Sequence, residues 1–578
     1  MENKATNIKS IAVGIVAGSL ISFINSYGYA VSGYTTAEAS LIIIPILTIF
    51  IYKMLRIKYT NEEFLISVAT ALGIDITTTL TSGMYITFGF LNYSIERLRA
   101  FGLDVSIPSE LFSGGGVIDV YALPTYVSLS IISASGAFIA YTFRSYFIEK
   151  ERLRYPFAVA SAILMKTFRK LLHRFKEYFV AFIIGFAIQI YLLFSPLIHD
   201  LTPLLSSIIP GSMFALTFSP LVFGLFLLMP LAPLRMVSLS SLVTYLLIIP
   251  ITVNMLTLPM LPAMSYDEAL FAIAPIVVSL NLGVVTILLA YYLLRFRSLL
   301  ASAMSITLKL SIERTTFIMG IALLSLLVYM AFLLGRKPFT HLFALLISMM
   351  VLLHVILLVA NMRVVGEVGM GSQALFPVVT FIMYLSGVRE AGVYAAIDPY
   401  TGIPMPQVVG GATMNLFRFS RFFKGNTIKI LKSFCIGMLI GSLLTYLYGN
   451  ILIHFYGFDS PQMPLTRWIP TIVWMATVYG GRLAGASLYA VVVGLLIGAF
   501  IVVLSWRRGL PIFSIAVGLT LPPDIGFIAL LSYLMKSMIV KLGVELHEKI
   551  VILDTIYIMG AGIAIAVHIL LSMMGVAS

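Results

Sequence analysis

The residues best suited to chemistry are carboxylates inside long apolar stretches. Asp75 lies in ATALGIDITTTLTSGMY, among small residues and threonines that permit close helix packing and supply hydroxyl groups. Glu367 lies in NMRVVGEVGMGSQALFP, with three glycines around it and Gln373 and Pro377 after it. An ionisable side chain at membrane depth costs about 2.5 to 3.5 kcal/mol to insert, so each requires a partner, a cavity or a function.

Each of these acids has a structural interpretation beside the functional one. Asp75 is either a proton or substrate group or the buried partner of an Arg or a Thr. Glu367 indicates either a helix start whose amides meet a polar substrate or a simple interfacial loop. Glu38, in GYTTAEASL, either faces an aqueous vestibule or caps the second helix. His354 and Asp554 are lone polar residues on apolar helices, where a satisfied structural role is favoured and proton relay is the alternative.

The elements that position these residues are membrane spans. The chain has 578 residues, of which 60% are hydrophobic and 11% charged, and apolar windows continue from end to end. About 20 apolar residues cross a bilayer core of roughly 30 Å, so lipid serves as the solvent for most of the chain. The single cysteine, Cys435, excludes a disulfide framework and a cysteine-based metal cage.

Hydropathy predicts two sets of spans in an all-α polytopic fold, divided as residues 1–300 and 301–578. The first set covers residues 8–33, 36–56, 63–91, 119–143, 178–198, 213–233, 236–258 and 269–294. The second covers residues 315–334, 339–361, 370–388, 402–417, 433–455, 467–481, 484–505, 512–534 and 550–574. We expect about 16 crossings in two related halves, because the short window 467–481 is better explained as re-entrant.

The net charge of +13 is an orientation signal rather than evidence for a nucleic-acid partner, because the basic residues collect in short loops beside spans. The segments 144–176, 295–314 and 418–432 all fall on the cytoplasmic side if the amino terminus is cytoplasmic. A full crossing by 467–481 would place Arg507 and Arg508 outside, which is why a re-entrant segment is preferred.

Helix breakers interrupt several spans, as in transporters whose discontinuous helices form substrate and ion sites. They are Pro124, Pro220, Pro230, Pro250, Pro259, Pro377, Pro404 and Pro406, with Gly366, Gly369 and Gly371. The alternative for any single proline is a kink that neighbouring helices satisfy. No HExxH, GxSxG or P-loop motif occurs, so metalloprotease, hydrolase and ATPase functions lack their basic parts.

The order of segments resembles the oligopeptide transporter family, which includes the yellow stripe-like metal-chelate carriers. RSYFIEKERLRYPFAVASAIL, residues 144–164, is similar to the family's basic loop ending in a Tyr-Pro or Phe-Pro helix start. NEEFLISVATALG resembles the acidic start of the family's third span, and VANMRVVGEVGMGSQALFP resembles its Glu-Thr-Gly segment, with Val368 in place of the threonine. GGATMNLFRFSRFFKGNTIKILKSF and GLPIFSIAVGLTLPP are similar to its Lys-Gly turn and its penultimate region.

The resemblance implies about 16 spans and proton-coupled uptake of short peptides or amino-acid-derived metal chelates. Carried over by position, it points to Glu63, Tyr155, Pro156, Glu367, Lys424 and Gly425. We expect no cofactor and no resident metal. The partners are then the substrate, protons and membrane lipid, and a homodimer is left open.

The sequence therefore predicts a plasma-membrane secondary transporter working by alternating access. Glu367 and Asp75 are its leading proton or substrate-amine groups, and Tyr85, Gln373 and Asn415 are wall contacts. A carboxylate suits this role because it can pair with a peptide amino terminus and lose that pairing on protonation. The competing classes are a membrane-embedded enzyme, such as a lipid-linked transferase, and a passive channel. Passive flux without coupling to a proton gradient would favour the channel.

Overall fold

The computed structural model describes most of the chain, and its elements are almost entirely helical. The described residues are all except 1, 33–39, 101–102, 117, 171–174, 196, 256–263, 267, 271, 274–275, 278, 285, 289, 292–293, 295–310, 336–339, 370–376, 398–405, 461–462, 464, 466–467, 481–487, 509–510 and 574–578. Glu38 and Gln373 therefore lie outside the described residues.

Helices fill the chain in the following order. Before residue 300 they are α1 Glu2–Ser32, α2 Ser40–Met54, α3 Asn61–Tyr93, α4 Ile95–Ala100, α5 Leu123–Ser133, α6 Ser135–Ser145, α7 Pro156–Lys170, α8 Phe175–Phe194, α9 Thr202–Ile208, α10 Pro220–Leu228, α11 Leu231–Val243 and α12 Ile249–Met255. After residue 300 they are α13 Ser311–Gly335, α14 His341–Val368, α15 Pro377–Leu385, α16 Ala391–Ile397, α17 Pro406–Arg421, α18 Thr427–Leu444, α19 Leu447–Tyr456, α20 Ile469–Tyr479, α21 Leu488–Arg508, α22 Ile512–Thr520, α23 Pro523–Leu542 and α24 Val544–Met573.

Two π-helical turns and one two-stranded sheet are also described. The π-helical turns, Tyr146–Lys150 and Thr244–Ile248, continue α6 and α11. The strands β1 Ile198–Asp200 and β2 Ala215–Thr217 pair antiparallel, with Ile198 opposite Thr217.

Ten helical stretches of the described residues are long and apolar enough to cross a membrane. They start in α1, α3, α5, α8, α11, α13, α14, α18, α21 and α23. The expected class, an all-α polytopic membrane protein, is confirmed at this level. α20 has 11 residues and so measures about 16 Å, which is shorter than the hydrocarbon layer; the re-entrant course of window 467–481 stays a prediction.

Several predicted continuous spans are broken among the described residues, three of them at well-defined points. Window 213–233 contains β2, then α10, which starts at Pro220 with Ser219 as its cap, and then an extended break at Met229 and Pro230. Window 433–455 breaks at Thr445, between α18 and α19. Window 512–534 breaks at Leu521 and Pro522, where consecutive prolines cannot continue α22.

The chain forms two compact units, each built from two separate segments. Unit 1 contains residues 1–162 and 292–482, and unit 2 contains residues 163–291 and 483–578. Each unit thus takes one segment from either side of the predicted boundary at residue 300. That boundary itself lies outside the described residues, and the division into two related halves stays a prediction.

The centre of unit 1 is α3, whose apolar window is wholly buried. Glycines bring α18 against it: a Cβ on Gly437 would lie 2.2 Å from Thr70 O, and one on Gly73 would lie 2.3 Å from Phe434 O. Small residues allow this approach where lipid offers no hydrophobic driving force between helices. Hydroxyls of α3 then donate to carbonyls of α18, Thr70 to Ser433 O at 3.4 Å and Thr78 to Gly441 O at 3.3 Å.

The core of unit 2 joins residues that are far apart in sequence. An apolar cluster includes Met213, Tyr245, Ile249, Leu280 and Ala490. Two glycines make its helices approach closely, since a Cβ on Gly283 would lie 2.2 Å from Val491 O and one on Gly494 would lie 2.1 Å from Leu280 O.

Candidate functional site

Asp75 is a completely buried carboxylate near the middle of α3. Its side chain is 0% exposed, and it lies 14 residues after Asn61 in a helix of 33 residues. At about 1.5 Å per residue this is roughly 21 Å along a helix of about 50 Å. The predicted depth of Asp75, well inside a span, is therefore what the fold provides.

Neutral donors surround Asp75. Asn25 on α1 donates from Nδ2 to Asp75 Oδ1 at 2.8 Å and to Ser40 Oγ at 2.6 Å, and Thr79 Oγ1 donates to the same Oδ1 at 3.1 Å. The second carboxyl oxygen, Oδ2, is buried and accepts no hydrogen bond within the described chain. Three helices, α1, α2 and α3, therefore build this site.

No cation offsets the charge of Asp75 in the described part of the chain, where its interactions are with neutral groups alone. Of the two structural partners that the sequence left open, the threonine is present and the arginine is not. An ionised carboxylate without a counter-charge is expensive to bury, whereas a protonated carboxyl is far less so. The site is thus suited to taking up and releasing a proton, with Oδ2 as the available atom.

Tyr85 belongs to a different polar cluster, nearly three turns further along α3. Its hydroxyl donates to Asp119 Oδ2 at 3.0 Å, and the ring stacks on Tyr446 with centroids 4.5 Å apart. Asp119 also accepts from the backbone N–H of Ser113 at 2.8 Å and of Ala122 at 3.2 Å. Its oxygens are satisfied, so Asp119 reads as a structural carboxylate that orders the loop before α5.

Sequence reasoning missed Asp119 because it stands at the edge of a predicted span, at 119–143, rather than inside one. The local signal was available: an aspartate three or four residues before a helix commonly accepts backbone N–H groups at its start. The aromatic contact between Tyr85 and Tyr446 has no such local signal, because it depends on the helix break at Thr445, which lies more than 300 residues later in the sequence.

Glu367 lies at the end of a helix, and the expected helix start at this position is wrong. α14 continues to Val368, and Gly369 ends it with φ +102°, a left-handed conformation that glycine adopts readily. Asn415 on α17 donates from Nδ2 to Gly369 O at 3.2 Å, so it supports this turn. Glu367 and Asn415 thus flank the same helix terminus.

Arg363 already pairs with Glu367. Arg363 Nε donates to Glu367 Oε1 at 3.0 Å, and Nη1 donates to Glu151 Oε1 at 3.2 Å. Burial raises the pKa of Glu151, while Arg363 lowers it and Glu367 raises it. The three side chains form a partly buried network of two acids and one base, in contrast to the uncompensated Asp75.

Ion pairs place the basic segments of unit 1 at one end. Arg144 Nη2 lies 2.8 Å from Glu313 Oε1, Arg421 pairs with Glu149, and Lys429 pairs with Glu62 at the start of α3. Glu367 is linked to this end through Glu151. The two leading sequence candidates are therefore at different depths: Glu367 is near the basic end and Asp75 is about 20 Å along α3.

The secondary candidates have structural partners. Glu63 forms a capping box with Thr60, accepting the Thr60 backbone N–H at 2.6 Å. The buried His354 ring contacts Ile397 O and the Gln407 amide through its two nitrogens.

Asp554 in unit 2 interacts electrostatically with Lys536, and its Oδ2 is buried with no hydrogen bond from any described residue.

A scan against protein-family models and a search of curated proteins each found no match to this chain.

Proposed function

We propose that the protein is a secondary active transporter that moves short peptides or peptide-like metal chelates by alternating access, coupled to protons. About 16 crossings in two related halves, a cytoplasmic amino terminus and a plasma-membrane location belong to the same proposal, as does the resemblance to the oligopeptide transporter family.

One observation carries the proposal: Asp75 is fully buried at mid-span and is held by neutral donors from α1 and α3. An inert membrane anchor has no need of a carboxyl group there, and intramembrane carboxylates typically mark proton or substrate pathways. Because Asn25 and Thr79 preorganise one oxygen, and Ser40 accepts from the same Asn25 amide, the other oxygen is left for a proton or for a substrate amine.

Protonation then supplies the coupling. Ionised Asp75 would attract the amino group of a peptide or chelate, and protonated Asp75 would release it. The breaks at Thr445 in unit 1 and at Leu228 and Leu521 in unit 2 are the kind of discontinuity around which transporter bundles rearrange.

The decisive variant is Asp75→Asn. It preserves the shape of the side chain and an acceptor for Asn25 and Thr79, but it cannot exchange a proton. In proteoliposomes with an imposed pH gradient and pools of peptides and metal chelates, we expect accumulation to fall at least tenfold while the protein stays folded. Asp104→Asn, at an exposed position, is the matched control. Accumulation by Asp75→Asn at the wild-type level would end the proposed role.

The same assay separates the two leading acids and the two rival classes. Glu367→Gln should abolish gradient-driven uptake if Glu367 handles protons or substrate, and unchanged uptake would remove it from the mechanism. Flux that ignores the pH gradient in the wild type would favour a channel. Absence of flux for every pool would favour the membrane-embedded enzyme.

A further inference from the structure

Unit 2 contains a buried lysine, Lys536, located where a helix is interrupted, and a buried aspartate, Asp554, in its neighbourhood. α10 ends at Leu228, and Met229 and Pro230 lead in extended conformation to α11. The last carbonyls of a helix lack intrahelical partners, so a break among buried residues leaves acceptors that another group must satisfy.

The ammonium group of Lys536 satisfies two of these acceptors. Nζ donates to Leu227 O at 2.6 Å and to Met229 O at 2.7 Å, and the residue is 5% exposed. Its position follows from the register of α10 and α23, because Ser532, one turn earlier, donates to Phe223 O at 3.0 Å, one turn earlier on α10. A positive charge at a helix carboxyl terminus also interacts favourably with the helix dipole.

Asp554 supplies the opposite charge. It is 6% exposed, on α24, and acts electrostatically on Lys536 from beyond ion-pair distance. Its Oδ1 lies 3.0 Å from where a Cβ on Gly224 would be, so the carboxylate packs against α10 one turn before Leu227. Its Oδ2 accepts no hydrogen bond from the described residues although it is buried. Backbone carbonyls at a helix break are ligands that transporters use for small cations, and a nearby carboxylate adds a favourable charge.

We propose that this helix-break site, lined by Leu227 O and Met229 O with Asp554 as the nearby counter-charge, is a monovalent-cation site in which the Lys536 ammonium takes the place of the ion. An ammonium is a compact point charge with N–H donors directed at oxygen atoms. Its positive charge interacts favourably with carbonyl dipoles, as the charge of Na⁺ or K⁺ does. Shortening Lys536 should therefore open the site to an alkali ion.

The site has a consequence for coupling. A cation that is covalently part of the protein cannot be exchanged for sodium or potassium, so the gradient used would be that of protons. This consequence rests on the proposed transport function, whereas the cation site does not and is tested by binding alone.

The test is the thermal stability of full-length Lys536→Ala in detergent, measured as the loss of the monodisperse size-exclusion peak after heating. With NaCl or KCl in place of choline chloride at equal ionic strength, we expect Tm to rise by at least about 2 °C, since an ion that binds the folded state stabilises it. Wild type and Lys541→Ala, an exposed lysine on the same helix, should show no such ion-specific rise.

Three results would overturn the proposal: no alkali-specific rise in folded Lys536→Ala, an equal rise in the wild type, or an undiminished rise in the double variant with Asp554→Asn. If Lys536→Ala does not yield monodisperse protein, the double variant decides. Removing both charges relieves the uncompensated carboxylate and should restore the monodisperse yield. A double variant no better than Lys536→Ala would show that Asp554 is not the partner.

Discussion

At the residue scale, the difference between Asp75 and Glu367 is the presence of a cation. Both were identified from the sequence as acids in apolar surroundings, and that signal is sound because lipid penalises any charge. What the sequence could not supply was the partner. Asn25 lies 50 residues before Asp75, and Glu151 lies 212 residues before Arg363, so neither contact has a local pattern.

The network around Glu367 predicts a stability effect. Arg363→Gln would leave Glu151 and Glu367 without a cation, and we expect it to lower the free energy of unfolding by about 1 to 3 kcal/mol at pH 7.5, a value reduced for partial exposure. Burial already raises the pKa of Glu151, and loss of Arg363 raises it further. A carboxyl whose folded pKa is raised favours the folded state at low pH, so stability should partly return near pH 5.

Thermal unfolding of the purified protein at the two pH values measures this effect. Arg97→Gln is the control, because Arg97 and Asp459 are 61% and 39% exposed and such pairs contribute about 0 to 1 kcal/mol. A loss for Arg363→Gln that does not exceed the control, or that grows on acidification, would contradict the interpretation of the network as mutual charge compensation.

At the element scale, the sequence marked two of the prolines at which helices begin, but it did not predict the breaks at Thr445 and at Leu521. α10 and α17 begin at Pro220 and Pro406, both of which the sequence marked. Thr445 has φ +33° with no glycine or proline beside it, and it ends α18 because tertiary contacts hold it. Ser82 donates to Thr445 O at 3.3 Å, and Tyr446 donates to Asp119 O at 2.6 Å.

The same elements predict that glycine is obligatory where α3 and α18 touch. Gly437→Ala would place a methyl group 2.2 Å from Thr70 O, which only a shift of the helices can relieve. We expect a loss of about 1 to 3 kcal/mol, typical of overpacking. Gly28→Ala in α1 is the control, since nothing lies within 4 Å of its Cβ, and a small gain of up to about 1 kcal/mol is expected there. Equal Tm values for the two variants would contradict the close packing.

At the scale of the whole molecule, hydropathy determined the class of fold but not the grouping of helices. Apolar windows predict where spans lie, because lipid requires them. They cannot predict that residues 1–162 associate with residues 292–482, since that association depends on glycine contacts and hydroxyl-to-carbonyl bonds between distant segments. The ion pairs at the basic end of unit 1 join residues of 1–162 to residues of 292–482. They therefore connect the grouping of these helices with the orientation of unit 1 in the membrane.

Those ion pairs predict the sidedness of unit 1. Because Glu149 pairs with Arg421 and Glu62 with Lys429, the segments at 150 and 424 must share one side of the membrane, and α3 carries the chain to the other side before residue 104. With Cys435→Ala as background, cysteines at the exposed positions Lys150, Lys424 and Asp104 report the two sides. In intact cells, an impermeant maleimide should label the cysteine at 104 and spare those at 150 and 424, which permeabilisation should then expose. Labelling of all three before permeabilisation, or of 150 without 424, would contradict a common basic face; the reverse pattern would keep that face and invert the proposed orientation.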